Sequence, residues 1–154
     1  MNIDEIGSEF VKGVYVSLDL RLSHPIFLKV FPELKLEFGL ETGMELHISC
    51  TYRSLKAQGD LYAIGRTKPP LGDRHIVTHC DGINSQSKHN IFPAEAVDVY
   101  ITYAGKAVWE KKVFEPLGEM VPKYGLYWGG FGLGKNKKFL DRPHIEIASK
   151  ESIV

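Results

Sequence analysis

Apolar residues recur at helical spacing in two stretches of the chain. Over residues 23–39 they follow the three- and four-residue repeat of a helix with one buried face, although Pro25 and Pro32 should break or kink it. The same repeat covers residues 55–64, with Ser54 placed to cap the first turn and a glycine directly after the last. The pattern therefore predicts two helices.

Alternating and β-branched patterns predict strands between and after these helices. The predicted strands cover residues 45–52, 96–101, 126–128 and 143–148, and a third helix is predicted over 108–124. A long stretch rich in glycine, proline and polar residues, 67–90, separates the second helix from the second strand, and a loop of this length is usually functional. The interleaved order predicts an α+β fold with one small antiparallel or mixed sheet flanked by helices.

Composition and charge narrow the class of protein. The chain has 154 residues, 44% of them hydrophobic and 25% charged, as in an ordinary globular protein. We expect a single domain over 1–154. Lysine plus arginine equals aspartate plus glutamate at 19 each, so nothing predicts binding to nucleic acid or to an anionic membrane. The acidic first residues lead into no apolar segment, and no apolar run is long enough for a spanning helix; we therefore expect no signal peptide, synthesis in the cytoplasm and no stable membrane insertion.

Cysteine usage indicates neither a zinc knuckle nor a redox motif. Cys50 and Cys80 lie thirty residues apart without a neighbouring partner. We expect both to be buried and reduced, and a disulfide between them is possible but not required.

Two distant segments carry residues that can hold a metal ion. His89 and Asp98 form the first pair, and Asp141 with His144 forms the second, on a segment that Pro143 holds extended. His89 and Asp98 alone could be a polar loop residue and a strand-edge carboxylate. Together with His144 they make two imidazoles and one carboxylate, the set that holds Zn²⁺ with its fourth tetrahedral position open. The conjunction predicts a catalytic zinc centre.

Other polar features have plainer interpretations. His24 and His47 are predicted to be structural, and His75 and His79 to be loop residues that can line a cleft. The glycine-rich run 129–134 lacks the P-loop pattern and is interpreted as a flexible turn, and the lysine cluster at 135–138 as a solvated loop that could attract an anionic polymer. Trp128 is interpreted as a core residue or as one wall of a groove.

The order of these motifs resembles the VanY-like zinc peptidases, and most closely the L-alanyl-D-glutamate endopeptidases of bacteriophage endolysins. The resemblance covers roughly residues 45–148. It is carried by the segments Thr51-Tyr52-Arg53-Ser54, Gly65-Arg66-Thr67-Lys68-Pro69, Ser87-Lys88-His89-Asn90, Ala96-Val97-Asp98, Gly125-Leu126-Tyr127-Trp128-Gly129-Gly130 and Asp141-Arg142-Pro143-His144-Ile145-Glu146, with Gln58, Leu61 and Tyr62.

The resemblance implies a role for each matching position. It implies Zn²⁺ as the cofactor and Asp141 as the general base that takes a proton from the attacking water. Glu146, on the C-terminal side of His144, and then Glu95 are rival bases. Arg53 would bind a substrate carbonyl or carboxylate. Ser87 and Trp128 would contribute substrate contacts near the metal. The implied zinc ligands are His89, Asp98 and His144.

Two departures from the family pattern need explanation. Asp98 follows His89 by nine residues, two more than is usual in the family, and we expect the extra residues around Pro93 to loop out and leave His89 and Asp98 convergent. Phe131 stands where relatives often have an aspartate, which would alter substrate preference rather than chemistry.

Four functions from different classes stay open. The first is a phage lysis enzyme that cuts the L-Ala to D-Glu bond of peptidoglycan stem peptides, acts in the periplasm or cell wall, and depends on a holin for release. The second is a D-Ala-D-Ala carboxypeptidase on the same scaffold. The third is a virion-associated module that binds zinc without turnover, and the fourth a generic metalloprotein. No separate cell-wall-binding domain is predicted.

Overall fold

The computed structural model describes residues 8–11, 14–67 and 78–149, in which seven strands and four helices occur. In chain order the elements are β1 (Ser8–Val11), β2 (Val14–Ser17), α1 (Pro25–Thr42), β3 (Glu45–Cys50), α2 (Leu55–Ala63), β4 (Ala96–Tyr103), β5 (Lys106–Val108), α3 (Lys111–Phe114), α4 (Leu117–Lys123), β6 (Leu126–Trp128) and β7 (His144–Ile147). The predicted α+β class is confirmed.

The main sheet is antiparallel throughout. Its strand order is β3-β4-β7-β6, and β5 pairs with the second half of β4. Strands β1 and β2, which the sequence patterns did not predict, form a separate hairpin. The antiparallel alternative of the prediction is therefore the observed one.

Helices α1 and α4 cover one face of this sheet. Successive side chains of a strand point to opposite faces, so Val97, Val99 and Ile101 of β4 and Ile145 of β7 all point toward these helices. The remaining core residues come mainly from the helices and the flanking strands: Phe27, Val30, Phe31, Leu34, Phe38, Leu46, Phe114, Leu117, Met120, Val121, Leu126 and Trp128. The opposite face of β4 and β7 is left for polar side chains.

Helix α1 runs through Pro32 without a break, so the predicted interruption is wrong. His24 caps its start by accepting a hydrogen bond from the Ile26 backbone at 3.2 Å, and Gly43 ends it with φ of 71°. Pro32 is tolerated because it lies on the exposed side of the helix, where water can hydrate the carbonyl that loses its partner.

The single helix predicted over 108–124 is also wrong. Ala104 and Gly105 both have positive φ, 51° and 77°, and this tight turn folds the chain back so that β5 pairs with β4. The helical part is then divided into α3 and α4 around Pro116, which has no N–H to continue the first helix.

Strand β3 ends two residues earlier than predicted because the backbone of Thr51 leaves the sheet. Its N–H donates to Ser17 of β2 at 2.7 Å instead of pairing with β4. Both cysteines are free; Cys50 is buried as expected, but Cys80 is partly exposed, so that half of the prediction is wrong. Residues 68–77 of the predicted long loop lie outside the described residues. Within the described part of the chain, no helix combines the length and apolarity needed to cross a bilayer.

Candidate metal centre

A row of polar side chains crosses three strands on the sheet face opposite the helices. Asp98 of β4 pairs with Cys50 of β3 on one side and with His144 of β7 on the other. Paired positions in an antiparallel sheet place their side chains on the same face. The alternation that buries Val97 and Ile145 under the helices therefore directs Asp98 and His144 into the site.

His89 reaches this row from a short 3₁₀ turn over Lys88–Asn90. Ser87 caps the turn: its hydroxyl accepts from the His89 N–H at 3.3 Å, and its own N–H donates to the Asn90 side chain at 2.9 Å. The carbonyl of His89 accepts from the backbone N–H of Arg53 at 2.8 Å. These bonds hold the turn against the end of β3 and place the imidazole over Asp98.

The two extra residues between His89 and Asp98 are accommodated as expected. The N–H of Glu95 donates to the carbonyl of Lys88 at 3.0 Å and closes the base of a loop, while Phe92 at its tip is 55% exposed. Because the loop projects outward, His89 and Asp98 still converge.

Both imidazoles point a ring nitrogen at the same carboxylate oxygen. Nε2 of His89 lies 3.2 Å and Nδ1 of His144 lies 3.3 Å from Oδ1 of Asp98. The other nitrogen of each ring is engaged elsewhere: Nδ1 of His89 donates to the Thr51 carbonyl at 2.7 Å, and Nε2 of His144 donates to Glu146 at 3.0 Å. The two histidines thus offer different nitrogens to one point.

Asp141 lies beside this cluster. One nitrogen or oxygen atom from each of Asp98, Asp141 and His144 lies within 4.8 Å of the other two. One side-chain atom from each of Cys50, His89 and Asp98 likewise lies within 4.8 Å of the other two, so Asp98 belongs to both groups. Asp141 therefore borders the converging nitrogens and is close enough to exchange a proton with a water held there.

Buried polar atoms that lack hydrogen-bond partners show that the cluster fits a cation. Among the described residues, the buried side-chain atoms without a hydrogen-bond partner are Nε of Arg53, Nε2 of His89 and Oδ1 of Asp98. Unpartnered buried polar atoms are costly, and two of these face each other in the cluster. Two imidazole nitrogens and one carboxylate oxygen are the donor set of a catalytic Zn²⁺ site with an open position.

The charged groups of the cluster strongly shift the pKa values of His89 and Asp98. Burial lowers the pKa of His89, but Asp98 and Cys50 more than offset it and raise that pKa to about 10. Burial likewise works against ionised Asp98, yet the neighbouring His89 and His144 hold its pKa well below the usual range. In the absence of metal the site therefore retains protons that a bound cation would displace.

Arg53 adds a buried positive charge at the edge of the cluster. Its Nη2 lies 3.5 Å from Asp98, its Nη1 donates to Gln58 at 2.8 Å, and the charge of Asp141 also acts on it. Gln58 is completely buried and accepts in addition from Asn90 at 3.3 Å. Gln58 therefore orients Arg53 toward the site. No function was predicted for Gln58 from the sequence, where the only sign of one was a polar residue on the buried face of α2.

The turn that carries Asp141 packs directly on Gly129. The Asp141 N–H donates to the Gly129 carbonyl at 2.9 Å, and a Cβ at Gly129 would collide with the Asp141 carbonyl and lie 2.8 Å from Cβ of His144. A Cβ at Gly130 would collide with the Trp128 ring. Gly129 and Gly130 are therefore close-packed supports of this turn, a role that the interpretation of the run as a flexible turn did not include.

Two residues predicted to contact substrate also make structural hydrogen bonds. Trp128 is 3% exposed and donates from its indole N–H to the Arg142 carbonyl at 2.7 Å, so it presents almost no surface to a substrate and instead supports the turn before His144. The hydroxyl of Ser87 caps the turn of His89. The predicted substrate contacts of both residues stay predictions, with the indole of Trp128 buried and Ser87 half-buried.

The two rival bases differ from Asp141 in their surroundings. Glu146 is held between His144 and Lys88, with Nζ of Lys88 2.6 Å from its Oε2. Glu95 directly precedes β4, and its backbone carbonyl accepts from the Ile147 N–H at 2.9 Å. Neither glutamate belongs to the group formed by Asp98, Asp141 and His144. The geometry therefore favours Asp141.

The other described histidines, His24, His47 and His79, lie outside the cluster. His24 caps α1 and His47 contacts Thr102 at 2.8 Å, so both have the predicted structural roles. His79 is exposed and meets Phe139 edge to face at 5.5 Å between ring centroids, whereas His75 lies outside the described residues.

The amino-acid sequence of the chain is similar to that of a known peptidoglycan peptidase. The chain is 30% identical to the peptidoglycan L-alanyl-D-glutamate endopeptidase CwlK of Bacillus subtilis strain 168, over 134 residues that cover 80% of this chain and 72% of CwlK. No family model matches the chain.

Solved structures share the fold at lower identity. The L-Ala D-Glu endopeptidase ChiX of Serratia marcescens matches with a TM-score of 0.53 and 24% identity, covering 84% of this chain and 83% of ChiX. DacB of Streptococcus pneumoniae matches at 0.54 and 21%, covering 90% and 74%. The D,D-pentapeptidase VanY of a VanB-type vancomycin resistance cassette, solved with Zn(II), matches at 0.50 and 14%, covering 94% and 79%.

The fold and the cluster together define a metallopeptidase. The chain belongs to the VanY-like family of zinc peptidases, whose members hydrolyse peptidoglycan.

Proposed function

We propose that this protein is an L-alanyl-D-glutamate endopeptidase that cuts the stem peptides of peptidoglycan. The observation that carries the proposal is the identity to CwlK, which bears that activity in its name and aligns over most of both chains. ChiX, with the same activity in its name, shares the fold.

In this proposal His89, Asp98 and His144 hold the zinc ion. When bound there, zinc supplies a Lewis acid and brings the pKa of a water molecule toward neutrality. The support is the convergence of His89 Nε2 and His144 Nδ1 on Asp98, together with the lack of hydrogen-bond partners at His89 Nε2 and Asp98 Oδ1.

Asp141 acts as the general base and Arg53 positions the substrate. A carboxylate beside the cluster can take the proton of the attacking water and pass it to the leaving amine. The side chain of Arg53 is 11% exposed, and its guanidinium lies at the edge of the cluster with Nη2 3.5 Å from Asp98. A planar guanidinium can donate two parallel bonds to a carbonyl or carboxylate, which a lysine cannot reproduce.

Product analysis tests the substrate. Purified sacculi are digested with the zinc-loaded protein, and new amino termini and muropeptide masses are determined. We expect a free D-Glu amine, with L-Ala left on the glycan, and we expect a chelator to stop the reaction and zinc to restore it. Intact sacculi under all conditions would contradict the proposal and favour a module that binds without turnover.

A carboxypeptidase is the second candidate, because Arg53 is also suited to a free C-terminal carboxylate. Structures with the same fold include an L,D-carboxypeptidase DacB and the D,D-pentapeptidase VanY. Loss of a single terminal D-Ala in the digestion, with the L-Ala to D-Glu bond intact, would establish this alternative.

We also propose, from the resemblance to phage endolysins, that the cell-wall cleavage serves bacterial lysis. The expected action is in the periplasm or cell wall, after a holin has opened the membrane. Induction of the protein in bacteria with and without a coexpressed holin tests this, with culture turbidity as the readout. Rapid clearing should require the holin, and clearing at the same rate without it would contradict the dependence.

A further inference from the structure

We propose that Glu146 and Lys88 form a positioning pair that makes His144 present Nδ1, rather than Nε2, to the metal. The inference rests on the proposed role of His144 as a zinc ligand. It assigns a function to two residues that the proposed reaction does not otherwise use.

The geometry forms a continuous chain of contacts. Nε2 of His144 donates to Oε1 of Glu146 at 3.0 Å, and Nζ of Lys88 lies 2.6 Å from Oε2 of the same carboxylate. Nζ of Lys88 also donates to the carbonyl of Ile147 at 2.6 Å. Lys88 is therefore fixed at two points, and Glu146 is fixed by its bond to Lys88.

Burial explains why this carboxylate needs a partner. The side chain of Glu146 is 10% exposed and that of Lys88 25% exposed. A buried carboxylate without a partner is strongly unfavourable, and the ammonium group of Lys88 compensates it. Because Lys88 directly precedes His89, the same short turn carries one ligand and supports the other.

The consequence for His144 is a defined tautomer. An imidazole can offer either nitrogen to a metal, and the hydrogen bond made by the other nitrogen decides which one is free. With its Nε2–H bonded to Glu146, His144 has Nδ1 available, 3.3 Å from Asp98. His89 has the opposite arrangement, since the carbonyl of Thr51 occupies its Nδ1 at 2.7 Å.

Zinc affinity and imidazole NMR test the pair. Wild type, Glu146→Leu, Glu146→Gln and Lys88→Met are compared by zinc competition against a chelator of known affinity. Long-range ¹H–¹⁵N spectra of the zinc-loaded proteins report which nitrogen of His144 carries the proton. Glu115→Gln is the matched control, because Glu115 also pairs with a cation, Arg142 at 3.1 Å, but is exposed.

Glu146→Leu should weaken zinc binding about 10- to 100-fold, the usual effect of losing such a partner of a metal ligand. It should also abolish the single protonated-Nε2 state of His144. Glu146→Gln keeps an acceptor oxygen and should retain that state with only a few-fold loss of affinity. Lys88→Met removes the cation that fixes the Glu146 carboxylate and should weaken zinc binding about 10-fold, in the direction of Glu146→Leu; an affinity equal to wild type would remove Lys88 from the pair. Glu115→Gln should not differ from wild type.

Unchanged affinity and an unchanged His144 spectrum in Glu146→Leu would overturn the inference, as would a protonated Nδ1 in zinc-loaded wild type. If Glu146→Leu does not fold, as judged by thermal unfolding of the zinc-free protein, the spectrum of wild type and of the isosteric Glu146→Gln still decides. A zinc-loaded wild type with the expected spectrum but without hydrolysis of sacculi would support this inference and contradict the proposed function.

Discussion

The two faces of the same strands carry opposite chemistry. On one face of β4 and β7, Val97, Val99 and Ile145 are buried under α1 and α4. On the other face, one residue away along each strand, Asp98 and His144 converge, and Oδ1 of Asp98 has no hydrogen-bond partner. Burial of the apolar face removes nonpolar surface from water and so stabilises the fold. The polar face instead brings charged groups together, and their desolvation costs free energy.

The two faces of this one sheet therefore have different roles, one in stability and the other in function. A change on the helix-covered face should lower the free energy of unfolding with little effect on catalysis below the melting temperature. A change on the metal face should affect activity or zinc affinity with less effect on folding of the zinc-free protein.

Asp141→Asn should have the largest effect and should be confined to activity. An amide cannot accept a proton from water, so the rate of hydrolysis should fall about 10²- to 10⁴-fold. Zinc content by elemental analysis and thermal unfolding should stay near wild type. Glu119→Gln, the same chemical change on the exposed surface of α4, is the control. A rate within a few-fold of wild type would remove Asp141 from the base role.

Leu34→Ala should show the converse behaviour. Leu34 lies on the buried face of α1 and is 1% exposed. Truncation of a buried leucine typically lowers the free energy of unfolding by about 2–5 kcal/mol, and we expect a loss of that size. Urea denaturation should report this loss, while the rate constant at low temperature stays near wild type. Leu36→Ala in the same helix is the control, because Leu36 is 64% exposed and should change stability by less than about 0.5 kcal/mol. A large activity loss in folded Leu34→Ala would show that the two faces are coupled.

Gln58→Leu should reduce activity through Arg53. It keeps the approximate volume but removes the oxygen that holds the guanidinium at 2.8 Å, a hydrogen bond to a charged group worth about 1.5–3 kcal/mol, or roughly a 10- to 100-fold change in kcat/KM. Zinc content should not change, and exposed Gln86→Leu is the control.

A double-mutant cycle separates this role from a general folding effect. Arg53→Lys alone should impair turnover, and adding Gln58→Leu to it should cost less than Gln58→Leu costs in wild type. Full additivity of the two changes would contradict positioning of Arg53 by Gln58.

The pH dependence of stability should differ between zinc-free and zinc-loaded protein. The pKa of His89 is raised to about 10 in the zinc-free fold, against roughly 6.5 in an unfolded chain. Its contribution to stability is therefore complete below about pH 6.5 and is lost as the pH rises toward about 10. Thermal unfolding at a series of pH values, with chelator and with zinc, should show the stabilisation by zinc growing over this range.

Asp98→Asn supplies the control for this pH effect, because it removes the carboxylate that raises the pKa of His89. The zinc-free variant should show a shallower decline with pH. Zinc-free wild type that becomes more stable between pH 7 and 10 would contradict the assigned linkage.

The sequence alone was sufficient for those features that depend on local periodicity. The apolar repeat of 23–39 identified α1, and Ser54 caps α2 as its position predicted. The ligand set could be proposed because histidine and aspartate at two motif-like segments carry a chemical signature that does not require the fold. Their assignment as ligands and the role of Asp141 stay predictions.

Tertiary structure decided the features that depend on packing across the sheet. Trp128 could not be assigned to core or groove until its pairing with Ile145 placed it on the helix-covered face. The segment 108–124 has apolar spacing compatible with one helix, but its first residue pairs with β4. Local propensity is weak beside the gain from burying a strand pair, so such segments follow their neighbours.

The chain by itself therefore determined an α+β peptidase with two imidazoles, two carboxylates and an arginine in family order. Only the folded protein decided which nitrogen each imidazole offers, that Gln58 holds Arg53, and that Gly129 supports the turn of Asp141. The physical reason is that residue types and their spacing are encoded locally. Hydrogen-bond partners and close contacts between residues far apart in the chain exist only after the strands have paired.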